Sequence, residues 1–313
     1  MKYRRLGNSG LNISELGLGG NNFGWYANEE DSIPVINHAL ELGINFIDTA
    51  DAYDQGNSEK FVGKAVKGKR HQVIIATKFA SPMGDGPNER GASRYYIMKA
   101  IDASLKRLQT DYVDLYQMHR PPHPSTPIEE TLRALDDLVR AGKVRYIGCS
   151  NFAAWQLSEA LWTSRVNNLH SFVTVQSRYS LLTREIEAEV VPCCQAHGIG
   201  VIPWGPLAGG FLTGKYRQGA KPLADARLTG ASPRQIYEGV LSEANWKKLQ
   251  QWEAFATTHG HTVGELAIAW LLAKPWVNTV IAGARKTEQV SANVTASQWK
   301  LTPDEVAQVD AIA

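Results

Sequence analysis

Four titratable side chains, Asp48, Tyr53, Lys78 and His119, fall at or just past the polar ends of strand-forming runs. Ile44, Phe46 and Ile47 suit a buried strand, Asp48 follows at once, and Tyr53 lies on the loop that leaves it. The run from Val73 leads into Lys78, and the run from Tyr112 leads into His119. A carboxylate at the inner end of a buried strand is costly unless something pairs with it. Read singly, each residue has an ordinary structural explanation. Asp48 can cap a turn, Lys78 can reach solvent along its aliphatic stem, and His119 can be a hydrogen-bonded core histidine. Three neighbouring strands each delivering such a group to one mouth point instead to a catalytic set suited to proton transfer.

The elements that would hold this set alternate regularly. A short β-hairpin is expected over residues 3–16, around Asn8, Ser9 and Gly10. Strands are expected at 16–20, 44–47, 73–79, 112–119, 144–149, 172–176, 200–204 and 279–283. Helices are expected at 31–42, from 57, and at 93–108, 127–141, 155–164, 185–197, 245–259, 262–273, 287–296 and 302–312. Strand–helix alternation implies parallel pairing. Eight such units imply an α/β chain folded as a (β/α)8 TIM barrel, with an N-terminal β-hairpin and extra helices and loops at the C-terminal face. An open doubly wound sheet is disfavoured because no G-x-G-x-x-G follows the first strand. No linker divides the chain, so residues 1–313 are expected to form one domain. The longest irregular stretch, from Gly205 to about Val240, is of a length that usually carries function.

Composition narrows the partners. A net charge of +2 with no polybasic run gives no reason to expect nucleic acid or membrane. The N-terminal residues lack the apolar core of a signal peptide. Cys149, Cys193 and Cys194 have no metal-type spacing and fit free thiols in a reducing, cytoplasmic setting. His119 and His123 are separated by Pro121 and Pro122 and share no helix face, so no metal site is expected. No G-x-S-x-G marks a serine nucleophile.

The stretch from Gly43 to Tyr53, with Gly56, Ser58 and Glu59 beyond it, resembles a signature of the aldo-keto reductase superfamily, its bacterial and channel-β-subunit-like branch in particular. The likeness continues through the strand before Lys78, through His119, and through the segments at 148–152, 204–210, 214–216 and 283–293. It implies NADP(H)-dependent reduction of an aldehyde or ketone to the alcohol by hydride transfer. The small carbonyl substrate could be a sugar or another polar compound. Tyr53 would then be the proton donor, Asp48 and Lys78 would tune it, and His119 would orient the carbonyl. It also implies the cofactor contacts. Ser150, Asn151 and Gln176 would meet the nicotinamide carboxamide, and Trp204 would stack on the ring. Gly205, Pro206, Leu207, Gly209, Lys215 and Arg227 would follow the pyrophosphate. Gly283, Arg285, Gln289 and Asn293 would hold the adenosine phosphate, and Gly20, Asn21 and Asp48 would close the remaining side. A redox-sensing subunit with little turnover is the alternative that the same likeness implies.

Trp25, Tyr26 and Arg120 are loop residues near the expected mouth and are candidates for substrate contact. A free tyrosine has a pKa of about 10. A neighbouring Lys78 favours the phenolate, so a net lowering of the Tyr53 pKa is expected.

Overall fold

The structure, a computed structural model, describes residues 1–123, 125–220, 228 and 237–312. The chain opens with an antiparallel hairpin, β1 (Tyr3–Arg5) and β2 (Asn12–Ser14). Eight parallel strands follow and close on themselves. They are β3 (Leu16–Gly19), β4 (Phe46–Asp48), β5 (Ile74–Phe79), β6 (Val113–Met118), β7 (Val144–Ser150), β8 (Phe172–Arg178), β9 (Gly200–Trp204) and β10 (Val280–Gly283), with β10 returning to pair with β3. The helices between and after them are α1 (Glu29–Glu41), α2 (Asn57–Ala65), α3 (Arg94–Leu108), α4 (Ile128–Arg140), α5 (Ala154–Val166), α6 (Val190–His197), α7 (Glu243–Thr258), α8 (Val263–Ala273), α9 (Thr287–Ala296) and α10 (Pro303–Asp310). This is the (β/α)8 TIM barrel with an N-terminal hairpin. No helix among the described residues is long and apolar enough to cross a membrane.

The pleat explains what faces where. Along β5, Ile74 and Ala76 belong to the barrel interior, while Ile75 and Phe79 pack outward against the helices. The interior core is apolar at the hairpin end. Phe46, Ala76, Leu115, Ile202 and Ile281 pack there with Leu6 and Ile13 of the hairpin, which stopper that end. One pleat further along, the same faces carry Asp48, Lys78 and Gln117. The hairpin is tied down by Arg4, whose guanidinium donates to the carbonyls of Leu272 and Val277 and to Glu15.

Three local expectations differ from what is found. The second barrel strand begins at Phe46 rather than at 44, because the Ile44 amide still donates to the Ala39 carbonyl at the end of α1. The helix expected over 185–197 is a 3-10 turn, Glu185–Glu187, followed by α6. Pro192 has no N–H to bond the carbonyl four residues back, so a continuous helix is not favoured there. Helix α5 runs to Val166, past the expected stop at 164. In the segment from 205 to 240, a 3-10 stretch spans Ala208–Thr213, and residues 221–227 and 229–236 lie outside the described residues.

Helix packing near the catalytic loop depends on one small residue. Gly63 in α2 lies against the end of α3, and a Cβ there would meet the Leu108 carbonyl oxygen at 2.5 Å. Gly63→Ala is expected to push α2 away and to cost about 1–3 kcal/mol, the usual price of overpacking. Thermal unfolding should show a Tm several degrees lower. A Tm at or above that of the wild type would contradict this account of the packing.

Candidate active site

The centre of the site is a buried ammonium with three partners. Lys78 Nζ donates to Asp48 Oδ1 at 2.5 Å, to the Thr49 carbonyl at 2.9 Å and to the Tyr53 hydroxyl at 3.2 Å. A lysine has three N–H donors, and all three are used. Lys78 is fully buried, and Asp48 is nearly so. Burial alone would push the lysine pKa down. The Asp48 carboxylate, helped by Tyr53, outweighs it and holds Lys78 above its ordinary value, so the ammonium stays charged.

The other carboxylate oxygen is held as well. Asp48 Oδ2 accepts from Gln176 Nε2 at 2.8 Å and from Gln117 Nε2 at 3.1 Å. The two amides also touch, with Gln176 Nε2 and Gln117 Oε1 at 3.5 Å. Gln117 pairs with Lys78 in the strand register, which is why its amide reaches the same carboxylate. Sequence reasoning missed it. The sole signal was a polar residue two positions before His119 on a strand otherwise apolar toward its end.

Tyr53 lies on a 3-10 turn that continues into α2. Its hydroxyl accepts from Lys78 and is hydrogen-bonded by the Asn21 side chain. Two donors meet the phenol oxygen, and Tyr53 itself lines the cleft. The expected net lowering of the Tyr53 pKa does not occur. Burial pushes the phenol up by more than Lys78 pulls it down, and Asp48 also raises it, so the net shift is upward. The expectation gave the burial of the phenol too little weight against the pull of the lysine. Tyr53 therefore holds its proton at neutral pH.

His119 stands just past β6 with its ring edge-on to Tyr53, centroids 5.7 Å apart. Its Nδ1 is 3.2 Å from Ser81 Oγ. Burial, then the charges of Lys78 and Arg120, hold its pKa well below that of an ordinary histidine, so the imidazole is neutral. A further chain of bonds fixes the opposite wall. Trp204 Nε1 donates to Asn151 Oδ1 at 3.0 Å, and Asn151 Nδ2 donates to the His119 carbonyl and to Ser150 Oγ. Ser150 in turn donates to the Gln176 carbonyl.

These groups open on a cleft of about 1270 Å³ at the C-terminal ends of the strands. A drug-sized ligand needs roughly 300–1,000 Å³, so there is room for two molecules side by side. Of the expected residues, Asn21, Asp48, Tyr53, His119, Ser150, Asn151, Gln176, Trp204, Gly205, Pro206, Leu207, Gly209, Lys215, Gly283, Arg285, Gln289 and Asn293 line it, as do Trp25, Tyr26 and Arg120. Lys78 lies beneath Tyr53 rather than in the wall. Gly20 is also outside the wall. Its carbonyl accepts from Ser58 Oγ, and a Cβ there would meet that atom at 2.8 Å, so its place is in packing. Tyr26 was expected near the substrate, but its ring lies 5.8 Å from the Arg285 guanidinium, at the far end of the cleft. Neighbours on a tight turn point apart, and here Trp25 took the catalytic side. Arg227 lies outside the described residues.

The far end fits a phosphate-bearing ligand. Gly209 and Gly210 both have positive φ, and a Cβ on Gly210 would meet Lys215 Nζ at 2.7 Å, so the ammonium lies over a bare backbone turn. The N-termini of α8 and α9 open on the same region through Gly264 and Gln289. The Arg285 amide donates to Gln289 Oε1, which fixes the start of α9. Among the described residues, no group of three or more His, Cys, Asp or Glu side chains could hold a metal ion.

Comparison with known proteins follows the same lines. The model of the "Aldo/keto reductase family" matches residues 15–313. The chain is 37% identical to the versiconal hemiacetal acetate reductase of Aspergillus parasiticus, covering 98% of this chain and 95% of that one. It is 38% identical to the aldo-keto reductase YhdN of Bacillus subtilis, over 100% and 93% of the two chains. It is also 38% identical to a putative voltage-gated potassium channel subunit beta of Schizosaccharomyces pombe, over 99% and 92%.

One buried acid beside the site has no ion-pair partner among the described residues. Asp51 is 1% exposed, and its Oδ1 has no hydrogen-bond partner among the described residues. Burial, then the nearby Glu59 carboxylate, push its pKa up to about 8. The folded protein thus holds a proton that the unfolded chain releases near pH 4, so Asp51 makes stability fall as pH rises from about 4 to about 8. Asp51→Asn is expected to flatten that slope. Unfolding free energies from denaturant titrations at pH 5 and pH 8 should diverge less in the variant than in the wild type, by on the order of a few kcal/mol. An equal slope in both proteins would remove the assignment.

Proposed function

The chain belongs to the aldo/keto reductase family, and from that premise we propose that it reduces an aldehyde or ketone to the alcohol with NADP(H), Tyr53 supplying the proton. The observation that carries this reading is the Tyr53 hydroxyl, whose oxygen is met by Lys78 and Asn21 on a residue that lines the cleft. The nicotinamide, when bound, supplies the hydride. The protein's own groups do the rest. His119, neutral and positioned by Ser81, orients the carbonyl oxygen toward Tyr53. As charge develops on that oxygen, Tyr53 gives up its proton. The adjacent Lys78 ammonium stabilises the phenolate left behind. Asp48 keeps the lysine protonated, and Gln117 and Gln176 keep the carboxylate satisfied.

Ser150, Asn151 and Gln176 would hold the carboxamide, with the indole of Trp204 against the ring. The turn from Gly205 to Gly209, with Lys215, would hold the pyrophosphate. Gly283, Arg285, Gln289 and Asn293 would hold the adenosine phosphate. A guanidinium beside a helix N-terminus suits a 2′-phosphate.

A sensing role with little turnover is the second reading, favoured by the similarity to chains named as potassium channel subunits. The presence of Tyr53, Lys78 and His119 together weighs toward turnover. An aldehyde panel with NADPH discriminates between the two.

Tyr53→Phe keeps the ring and removes only the hydroxyl, so NADPH should still bind while single-turnover oxidation slows by roughly 100-fold or more. Lys78→Met should lose most of the rate and move the alkaline limb of the residual rate to higher pH, because the force that lowers the phenol pKa is gone. Gln117→Leu should slow the step less than Lys78→Met. Wild-type chemistry in Tyr53→Phe would sink the mechanism. For the cofactor, fluorescence titration of Arg285→Ala should show NADPH affinity reduced by about tenfold and NADH affinity little altered. Equal losses, or tighter NADH binding by the wild type, would count against NADP(H).

A further inference from the structure

Arg120 is exposed at the rim of the cleft, in sequence next to His119. No described residue places a carboxylate within ion-pair distance of it. The acids that line the cleft among the described residues are Asp48 and Glu265. Asp48 is enclosed by Lys78, Gln117 and Gln176. Glu265 caps the start of α8 through Thr262. Among the described residues, the positive charge at the substrate end is therefore unopposed within the wall.

The rest of that end is flat and apolar. Trp25 is 42% exposed, with its ring centroid 5.9 Å from that of Tyr53, and Pro82 and Pro121 complete the wall. Ser81, the polar side chain beside the catalytic set there, is already bonded to His119 through its Oγ. A polyhydroxylated substrate would lose hydration there and find few partners. A planar apolar body with one anionic group meets both the wall and the charge.

We infer that the substrate end of this cleft selects carbonyl compounds that carry a carboxylate on a flat apolar body, with Arg120 reading the charge. The inference rests on the reductase reading for which end of the cleft receives substrate. A guanidinium offers a carboxylate two parallel N–H donors, which is stronger and more directional than a lysine contact. The carboxylate would bind at the rim while the carbonyl lies between Tyr53 and His119.

The test compares 4-carboxybenzaldehyde with its methyl ester, which has the same ring and carbonyl and no charge. With saturating NADPH, the wild type should favour the acid in kcat/KM by about tenfold, above what a fully exposed ion pair gives. In Arg120→Gln the acid-to-ester ratio should fall to near one. Arg120→Lys should keep part of it, and added salt should shrink it in the wild type. A second arm reads the same preference without chemistry, by calorimetric binding of 4-(hydroxymethyl)benzoate and its methyl ester with and without NADP⁺. If neither aldehyde is reduced, yet the acid binds more tightly than the ester through Arg120, the inference stands and the reductase reading falls. A wild-type ratio near one in both arms, or a preference that survives in Arg120→Gln, overturns the inference.

Discussion

The Asp48–Lys78 ion pair is the interaction on which the rest of the structure depends. Two charges inside a barrel lose their hydration, and their mutual attraction repays this only if every remaining donor and acceptor is met. Here the barrel supplies the partners one strand at a time. Asp48 comes from β4, Lys78 from β5, Gln117 from β6 and Gln176 from β8. A slip of one residue in any of these strands would turn a polar partner outward and an apolar side chain into the charged layer. The catalytic centre and the strand register are thus one constraint.

Below this layer the interior is apolar and stoppered by the hairpin. Above it the groups fan out to the cleft wall. The chain of bonds from Trp204 through Asn151 to Ser150 and the His119 carbonyl joins the ends of β9, β7 and β6, so the indole and the imidazole are aligned by the same amide. Asn151 adopts positive φ to place it, with φ 60°. Such a backbone carries some strain, and the bonds its side chain makes hold it.

Much of this was legible in the sequence, for a physical reason. Strands buried on both faces read as continuous apolar runs, so the places where Asp48, Lys78 and His119 interrupt or end them stand out. The alternation of strands and helices then dictates the barrel and gathers those ends at one mouth. Gln117 did not stand out because its meaning comes from lying beside Lys78, and strand register is a property of pairing rather than of one run. The direction of the Tyr53 shift was misread because it depends on how deeply the phenol is buried, which no spacing encodes. Tyr26 went to the Arg285 end because side chains adjacent on a tight turn diverge. The break before α6 was available in Pro192, but the apolar pattern around it looked continuous.

The pairing of β3 with β10 sets Leu16 beside Val280. Every group that touches the Asp48 carboxylate has been synthesised once β8 is made, but the ring around it cannot close until β9 and β10 emerge from the ribosome. A chain interrupted in between would display charged and amide side chains to water on an open sheet, with bare strand edges at β3 and β8. Such an intermediate is loose, sticky and open to proteolysis. The strand that completes the fold is also the strand whose end carries Gly283 beside Arg285. In this molecule, therefore, the last barrel strand to be synthesised is the one that finishes both the wall of the barrel and the far end of the cleft.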